Sequence, residues 1–587
     1  MPPSGGVEGD GLLWPLRTPR EGGLGNRALE PLTGDAPETG PTFESRLAET
    51  LGRLGGEARP AVLARVAEAA AAVRSGSVCV ELDAADADLL ATSPLVATPD
   101  ARPTEAGTTP LVLDGARLYL RRWFDHERTL AQRLVTRAAP ALLGTAEARA
   151  AALDTLFADA PPEAALQRAA AATALERRLT IVVGGPGTGK TTTVVKLLGA
   201  LVAVGGPQHV RLLAPTGKAA ARLEQAVAEH RASLPESVQP SIPTTASTIH
   251  RALGAVGGSR VRFRHDAEAP LPDDVVVVDE ASMVDLALMR RLVEAVPARA
   301  RLVLLGDRDQ LASVEAGAVL AELCTASDTA LDGCVVALEH SWRFAAGGGI
   351  GALADAIRTG DVDAAFRALR GGGEVSWVPD LVQGPLPPSV VRAVRTGYTP
   401  LARARSDAAA LAALSRFKLL CAHRRGRFGV DQLNPRVEHA LADAGLLRPT
   451  AAWYPGRPLL VAENDYRLGL FNGDQGVIRS GDDGLRACFA MPDGEIRRLA
   501  PARLPSHETV FAMSVHKSQG SEYDRVALVL PKADSPLLTR ELLYTAVTRA
   551  RKGVLVVGPA ESVAAAVRTP VQRAGGLGPA LRKLSGR

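Results

Sequence analysis

Apolar residues in this chain follow two different periods, and the change between them divides it. From Phe43 to Ala158 the spacing is mainly helical. FESRLAETLGRLGG and ARPAVLARVAEAAAAVRSG place an apolar residue every three or four positions. A strand-like run, LVLDGARLYLRRWF at 111–124, interrupts this pattern, and a further helical run follows Glu127. From about Gln167 the texture changes. Short β-branched runs (LTIVVGG, VRLLAPT, DVVVVDEAS and ARLVLLGD) alternate with helical stretches, at intervals suited to a parallel sheet covered by helices. The segments AAGGGIG, RGGG and QGPLPP near 345–400 read as a boundary or an irregular connection. A second alternating region runs from about 415 to the end. Within it, residues 455–505 read as short strands and turns, like a small β-barrel insertion.

This pattern predicts an α/β protein. Residues 1–42, rich in Gly, Pro and charge, form a disordered arm. Residues 43–158 form a small helical N-terminal domain, and 159–345 and 346–587 form two parallel-sheet domains, the second carrying the insertion at about 455–505. A length of 587 residues agrees, since one hydrophobic core does not grow to that size. Composition changes the picture little. Hydrophobic residues at 46% and charged residues at 22% are ordinary for a soluble globular protein. A net charge of +4 permits a polyanionic partner without demanding one. The five cysteines contain no CxxC pair, which argues against a zinc site or a disulfide framework and suits a reducing compartment. The sequence has neither an apolar run of about 18 residues nor a signal-peptide core, so a cytoplasmic location is expected.

The chemistry begins at IVVGGPGTGKTTT, where Gly184, Gly189, Lys190 and Thr191 satisfy G-x-x-x-x-G-K-[ST]. Glycines let the backbone turn tightly and aim N–H groups at phosphate oxygens, and the following helix presents its positive end to the same anion. Gly184, Gly185, Pro186, Gly187, Thr188, Gly189, Lys190, Thr191 and Thr192 are thus the expected ATP cradle. Lys190 bridges the β- and γ-phosphates, and the Thr191 hydroxyl ligates Mg²⁺. About 90 residues later VVVVDEAS ends a strand in Asp279 and Glu280. Asp279 is placed to hold the Mg²⁺, and Glu280 to orient or deprotonate the attacking water.

Phosphate loops serve many functions, but here a series of further motifs follows in order. Gln167 lies upstream in LQRAAAATAL. Downstream come APTGKAAARL, TASTIHRALG, GDRDQLASVEAG, LEHSWRF, AMSVHKSQGSEYD and LLYTAVTRA. Over roughly residues 160–560 the series resembles superfamily 1 helicases. That resemblance implies two RecA-like domains with ATP in the cleft between them. It assigns Arg343 and Arg549 to the γ-phosphate, Gln310 to sensing it, Gln167 to the adenine edge, and Gly520 and Glu522 to phosphate and ribose. It also places Thr216, Thr248, His250, His516, Lys517 and Gln519 on a DNA strand, where short polar groups contact phosphates without reading sequence. His250 and His516 have a second reading, as packed structural histidines. Trp342, Phe344 and Phe511 either stack on bases or pack in a core. Aromatics total only 4%, too few for an extensive stacking platform.

Leu-Ala-Ser-Val after Gln310 is similar to the 5′→3′ branch of the superfamily. The stretches 111–127, FKLLCAHRRGRFGVDQLN (417–434) and 453–478 further resemble the RecD family, the subunits of RecBCD-type exodeoxyribonuclease V that process double-strand DNA ends for repair. The resemblance covers about 43–560 and leaves the basic tail after 565 without a counterpart. It implies RecB- and RecC-type partners, with residues 43–158 as the docking surface and the nuclease site on RecB. Two other readings stay open, a stand-alone 5′→3′ DNA or RNA helicase and a structural ATP-binding subunit.

Overall fold

The computed structural model describes residues 42–585, apart from 101–108, 206–208, 257–261, 329, 345–347, 381–383, 466, 482–483 and 492–493. All but Thr42 of the expected arm therefore lies outside the described residues. Residues Glu44–Arg587 make one compact unit built on two parallel sheets.

In the first sheet six strands run in the order Val335–Leu338, Leu179–Gly184, Arg301–Gly306, Val275–Val278, Val210–Ala214, Ala246–Thr248, every pair parallel. Alternate residues serve two cores. Ile181, Val183, Val276, Val278, Leu302 and Leu304 face a layer containing the helix Leu286–Ala295. Val182, Val275, Val277, Val303 and Leu305 face the helices Ala165–Glu176 and Lys190–Ala203. With both faces covered, the central strand positions are mostly apolar, which is why the sequence shows near-continuous runs here and not alternation. Each such Val or Leu contributes roughly 1.5–3 kcal/mol by leaving water.

The second sheet has the order Val375–Val378, Ala550–Val557, Tyr523–Val529, Phe417–Cys421, Ala512–Ser514, again all parallel. The glycine-rich stretch 345–400 is not an irregular connection. It forms the helices Gly349–Thr359, Val362–Arg370 and Pro388–Ala402 around the edge strand Val375–Val378. Its glycines punctuate these elements; Gly360, at φ 77°, ends one helix in the left-handed conformation that glycine adopts without a Cβ penalty. Between the strands Phe417–Cys421 and Ala512–Ser514 the chain inserts an antiparallel sheet, ordered Ile496–Leu499, Gly484–Ala490, Gln475–Gly481, Pro458–Val461, His507–Thr509. The architecture is thus two RecA-like lobes with a small β insertion in the second.

The N-terminal region is built from helices that enclose a four-stranded sheet, Cys79–Glu81, Arg117–Leu120, Leu111–Asp114, Val96–Ala97. The strand-like run at 111–124 is a hairpin turning at Gly115, and the next helix, Arg121–Ala138, begins six residues before Glu127. Local sequence does not separate the two states, because RLYLRRWF is apolar enough for either. Packing decides: Phe124, Leu130, Ala131 and Leu134 line one helix face against the first lobe.

The basic tail is a strap. After the helix Ala560–Arg568 the chain leaves the second lobe and crosses to the N-terminal region. There Val78 N donates to Ala574 O at 2.7 Å, and Ala574 N to Ser77 Oγ at 3.2 Å. The helix Leu577–Leu584 then buries Leu577 and Leu581 among Leu130, Leu134, Leu320 and Leu323. Gly576 N donates to both Glu127 oxygens, at 2.9 and 3.0 Å, and Leu577 N to Glu322 Oε2 at 3.1 Å. A Cβ at Gly576 would lie 1.9 Å from Tyr119 Oη, so only glycine fits. Burial raises the pKa of both carboxyls well above 4.5, and for Glu127 the neighbouring Glu322 adds to the effect.

Candidate active site

Parallel strands end on one edge, and the first lobe's functional groups emerge there from consecutive strand ends. Leu179–Gly184 runs into the phosphate loop, Val275–Val278 into Asp279 and Glu280, and Arg301–Gly306 into Asp307. Gly187 and Gly189 take φ of 79° and 82°, and the loop feeds the helix Lys190–Ala203. A Cβ at Gly187 would lie 2.2 Å from Arg343 Cβ. Lys190 Nζ donates to the carbonyls of Gly184 (2.6 Å) and Gly185 (2.9 Å), folded over its own loop. Gln167, 6% exposed, lies against the loop with Nε2 3.4 Å from Thr188 O.

Glu280 is the one non-glycine residue among those described with positive φ (52°). Strain of this kind costs about 1–3 kcal/mol and is held where a structure over-determines it. Here Glu280 N donates to Asp279 Oδ1 at 2.8 Å, which holds the Asp279 carboxylate at the cleft. Burial, together with Glu280, raises the Asp279 pKa, while Lys190 and Arg222 oppose the rise.

The cleft, of about 340 Å³, takes its lining from both lobes. The first lobe supplies Lys190, Thr191, Thr192, Asp279, Glu280 and Gln310; the second supplies Glu522 and Arg549; Trp342 and Arg343 lie between. Arg549 is buried and donates from Nε to Thr545 O (3.1 Å) and from Nη1 to Ser521 O (3.3 Å). Arg343 donates from Nη2 to Glu522 Oε1 at 2.7 Å, whereas its Nη1 is buried with no hydrogen-bond partner. An unsatisfied buried guanidinium donor is costly, and an anion in the cleft would satisfy it. Four cationic side chains (Lys190, Arg222, Arg343 and Arg549) thus converge on one cleft that also holds a carboxylate pair. This donor set suits a polyphosphate. Thr191 and Asp279 share the lining and could hold a Mg²⁺ jointly with phosphate oxygens, as that ion prefers few protein ligands. Among the described residues no group of three or more His, Cys, Asp or Glu could hold a metal alone.

Several residues that motif reading passed over belong to the site. Asp307, 1% exposed, accepts from Gln310 Nε2 (2.9 Å) and from the Tyr544 hydroxyl (3.3 Å) of the other lobe. Arg222 and His230, from the helix Gly217–Arg231, line the cleft wall. Trp342, 46% exposed, also lines the cleft, with its ring 4.5 Å from that of His340. Phe511 is fully buried and packs edge-on against Tyr398, so it is a core residue; Phe344 is packed against the second lobe. Gly520, at φ 68°, lies with its Cα hydrogen facing Ala219 across the lobes.

The proposed strand residues lie at the same strand-end edge. Thr216 and Thr248 are N-caps, accepting from Ala219 N and Arg251 N, which leaves each hydroxyl proton to donate outward. Ala214 pairs with Thr248, so Thr216 follows two residues beyond that position at the end of the neighbouring strand. His250 tilts against Phe263 at 5.9 Å. In the second lobe His516 and Lys517 lie on the short helix Val515–Ser518. His516 has its pKa lowered by burial and by Arg573, and Lys517 is ion-paired to Glu508. Gln519, 8% exposed, points away from any outer surface. Its Nε2 donates to Leu311 O of the first lobe at 2.7 Å, and Leu311 N donates to Thr545 Oγ1 at 2.9 Å.

Comparison with known proteins agrees with this arrangement. An AAA domain family model matches residues 163–380, and a UvrD-like helicase C-terminal domain model matches 509–557. The RecBCD enzyme subunit RecD of Mycobacterium tuberculosis is 46% identical over 550 residues, spanning 90% of this chain and 93% of its own length. The Haemophilus influenzae subunit of that name is 33% identical, over 74% of this chain and 75% of its own. The ATP-dependent RecD2 DNA helicase of Deinococcus radiodurans is 33% identical over 66% of this chain but only 47% of its own length. Taken with the shared cleft, these matches show that the chain belongs to the RecD family of RecBCD enzyme subunits.

Proposed function

We propose that this chain is an ATP-dependent, 5′→3′ single-strand DNA translocase and helicase, acting as one subunit of a RecBCD-type helicase–nuclease that processes DNA ends. One observation carries the reading: a polyphosphate-suited cleft whose cations come from both lobes, with the buried Nη1 of Arg343 lacking a partner. The cleft would take ATP together with Mg²⁺. Lys190 would hold the β- and γ-phosphates, Thr191 and Asp279 would hold the ion, which would neutralise phosphate charge, and Glu280 positions the attacking water. Arg343 and Arg549 meet the charge that develops on the transferring phosphoryl group. Gln310, on the cleft lining and held by its bond to Asp307, senses that group. Binding draws the lobes together and hydrolysis releases them. Thr216, Thr248 and His250 on one lobe and His516 and Lys517 on the other hold one strand, so each closure advances it. Gln519, bonded to Leu311 and not turned outward, links the nucleotide segment to the strand residues. The domain division behind this mechanism is 43–158 for docking to a RecC-type subunit and 159–345 and 346–587 for the motor.

The test is steady-state ATP hydrolysis with and without single-stranded DNA, together with unwinding of substrates tailed at the 5′ or 3′ end. DNA should stimulate hydrolysis, only 5′-tailed substrates should unwind, and Lys190→Gln should lower kcat by about 10²-fold or more. Hydrolysis indifferent to DNA would overturn the motor reading. Co-purification with large partner subunits through residues 43–158 distinguishes a complex subunit from a stand-alone helicase.

A further inference from the structure

Glu522 is the most heavily contacted carboxylate in the cleft. Its side chain is 7% exposed, and its Oε1 accepts from two arginines at once: Arg222 on the helix Gly217–Arg231 of the first lobe, and Arg343. Its Oε2 accepts from Arg551 Nε at 3.0 Å. Burial alone would raise its pKa, but Arg222 and Arg343 hold it far below the ordinary carboxylate range, so it is an anion at any working pH. This carboxylate competes with any phosphate in the cleft for the same donors. Arg343 is therefore bound on one side to Glu522 and unsatisfied on the other, at Nη1.

The sharing of one oxygen has a consequence. A carboxylate oxygen that serves two guanidinium groups divides its charge between them, so each bond is weaker than it would be alone. We infer that Arg222 is a positioning residue for ATP hydrolysis: by sharing Glu522 Oε1, it keeps Arg343 loosely held and free to transfer to the phosphoryl group. The inference rests on the proposed role of Arg343. Arg222 acts through Glu522 and need not touch the nucleotide. Removing it leaves Oε1 to Arg343 alone, and the arginine is then retained on Glu522 during the step that requires it. Arg222 also comes from the opposite lobe to Glu522, so the sharing depends on how far the lobes have closed.

The experiment is DNA-stimulated ATP hydrolysis by the full chain at saturating single-stranded DNA, with kcat and KM determined separately. Arg222→Ala should lower kcat about tenfold while KM for ATP moves less than about threefold. Arg222→Lys should recover most of kcat, because an ammonium also shares the oxygen. Glu522→Gln should raise KM through its own ribose contact, yet kcat of the double variant Arg222→Ala/Glu522→Gln should exceed that of Arg222→Ala. A melting temperature of Arg222→Ala within a few degrees of the parent's shows that the single variant is folded. A double variant no faster than Arg222→Ala would overturn the inference, as would an Arg222→Ala kcat within twofold of the parent. Arg343→Ala separates the two levels. If it retains full kcat, the reading of Arg343 fails; if it collapses while Arg222→Ala does not, only the sharing fails.

Discussion

The bond from Gln519 Nε2 to Leu311 O crosses between the lobes, with 208 residues of chain between its ends. Leu311 follows Gln310, whose Nε2 donates to Asp307, and Asp307 accepts from Tyr544 of the other lobe. On the opposite side, Gln519 directly follows the helix that carries His516 and Lys517. One hydrogen bond thus joins the segment proposed to sense nucleotide to the one proposed to hold the strand. Gln519→Leu keeps the volume and removes the donor, leaving a buried carbonyl unsatisfied at about 1–3 kcal/mol. Because the bond lies between lobes, that cost falls on their coupling, where it corresponds to roughly 5–150-fold. In ATPase assays at saturating single-stranded DNA, the stimulated kcat should fall within that range while the DNA-free rate stays within about twofold. The melting temperature should shift by less than about 4 °C, as befits one bond in a large chain. Equal loss in the stimulated and basal rates would show that Gln519 serves the hydrolysis site alone. An unchanged stimulated rate would remove the coupling argument altogether.

Further outcomes follow from the same geometry. Gly187→Ala places a Cβ 2.2 Å from Arg343 Cβ at a φ of 79°, so ATP binding, followed by fluorescent-nucleotide titration, should weaken at least tenfold, on the order of the 1–3 kcal/mol such strain costs. Glu127 and Glu322 have folded pKa values raised above 4.5, so their stabilising contribution is complete below that pH and is lost as pH rises toward their raised values. Glu127→Gln should therefore lose less melting temperature than the parent between about pH 6 and pH 8.5 by scanning fluorimetry, and parallel losses would refute the assignment. Strand binding should weaken with salt, with a log–log slope of roughly −2 to −4 for three to five neutralised phosphates, measured by fluorescence anisotropy; a flat dependence would remove the proposed contacts.

What the sequence made readable was local. The phosphate loop, VVVV before Asp279 and the apolar strand runs each carry their signal within a dozen residues, and period and glycine placement suffice to locate them. What it concealed depends on contacts between distant parts of the chain. Arg222 meets Glu522 across 300 residues, and nothing around an arginine in an arginine-rich chain marks it as a cleft residue. Trp342 read equally as a base-stacking or a core residue until the loop at Gly187, whose carbonyl accepts from Trp342 N at 2.8 Å, fixed it beside the nucleotide cleft. The stretch 345–400 misled because glycine runs that end helices look the same as glycine runs that replace them. The tail after 565 carried no motif, since its role rests on burying Leu577 and Leu581 against the helix Arg121–Ala138, over 400 residues away in the chain.

That strap also bears on how the protein is made. Glu127 and Gly576 are bonded, yet 449 residues separate them. At about 5–20 residues per second, a ribosome takes roughly 20–90 s to cover that interval. Throughout it, the apolar face around Leu130 and Leu134 lacks the helix that covers it, and Glu127 has no backbone donor from Gly576. The N-terminal region, first to emerge, is thus among the last parts to be completed. A stalled or clipped chain lacking the segment from Ala574 through the helix Leu577–Leu584 would expose that face to chaperones and proteases.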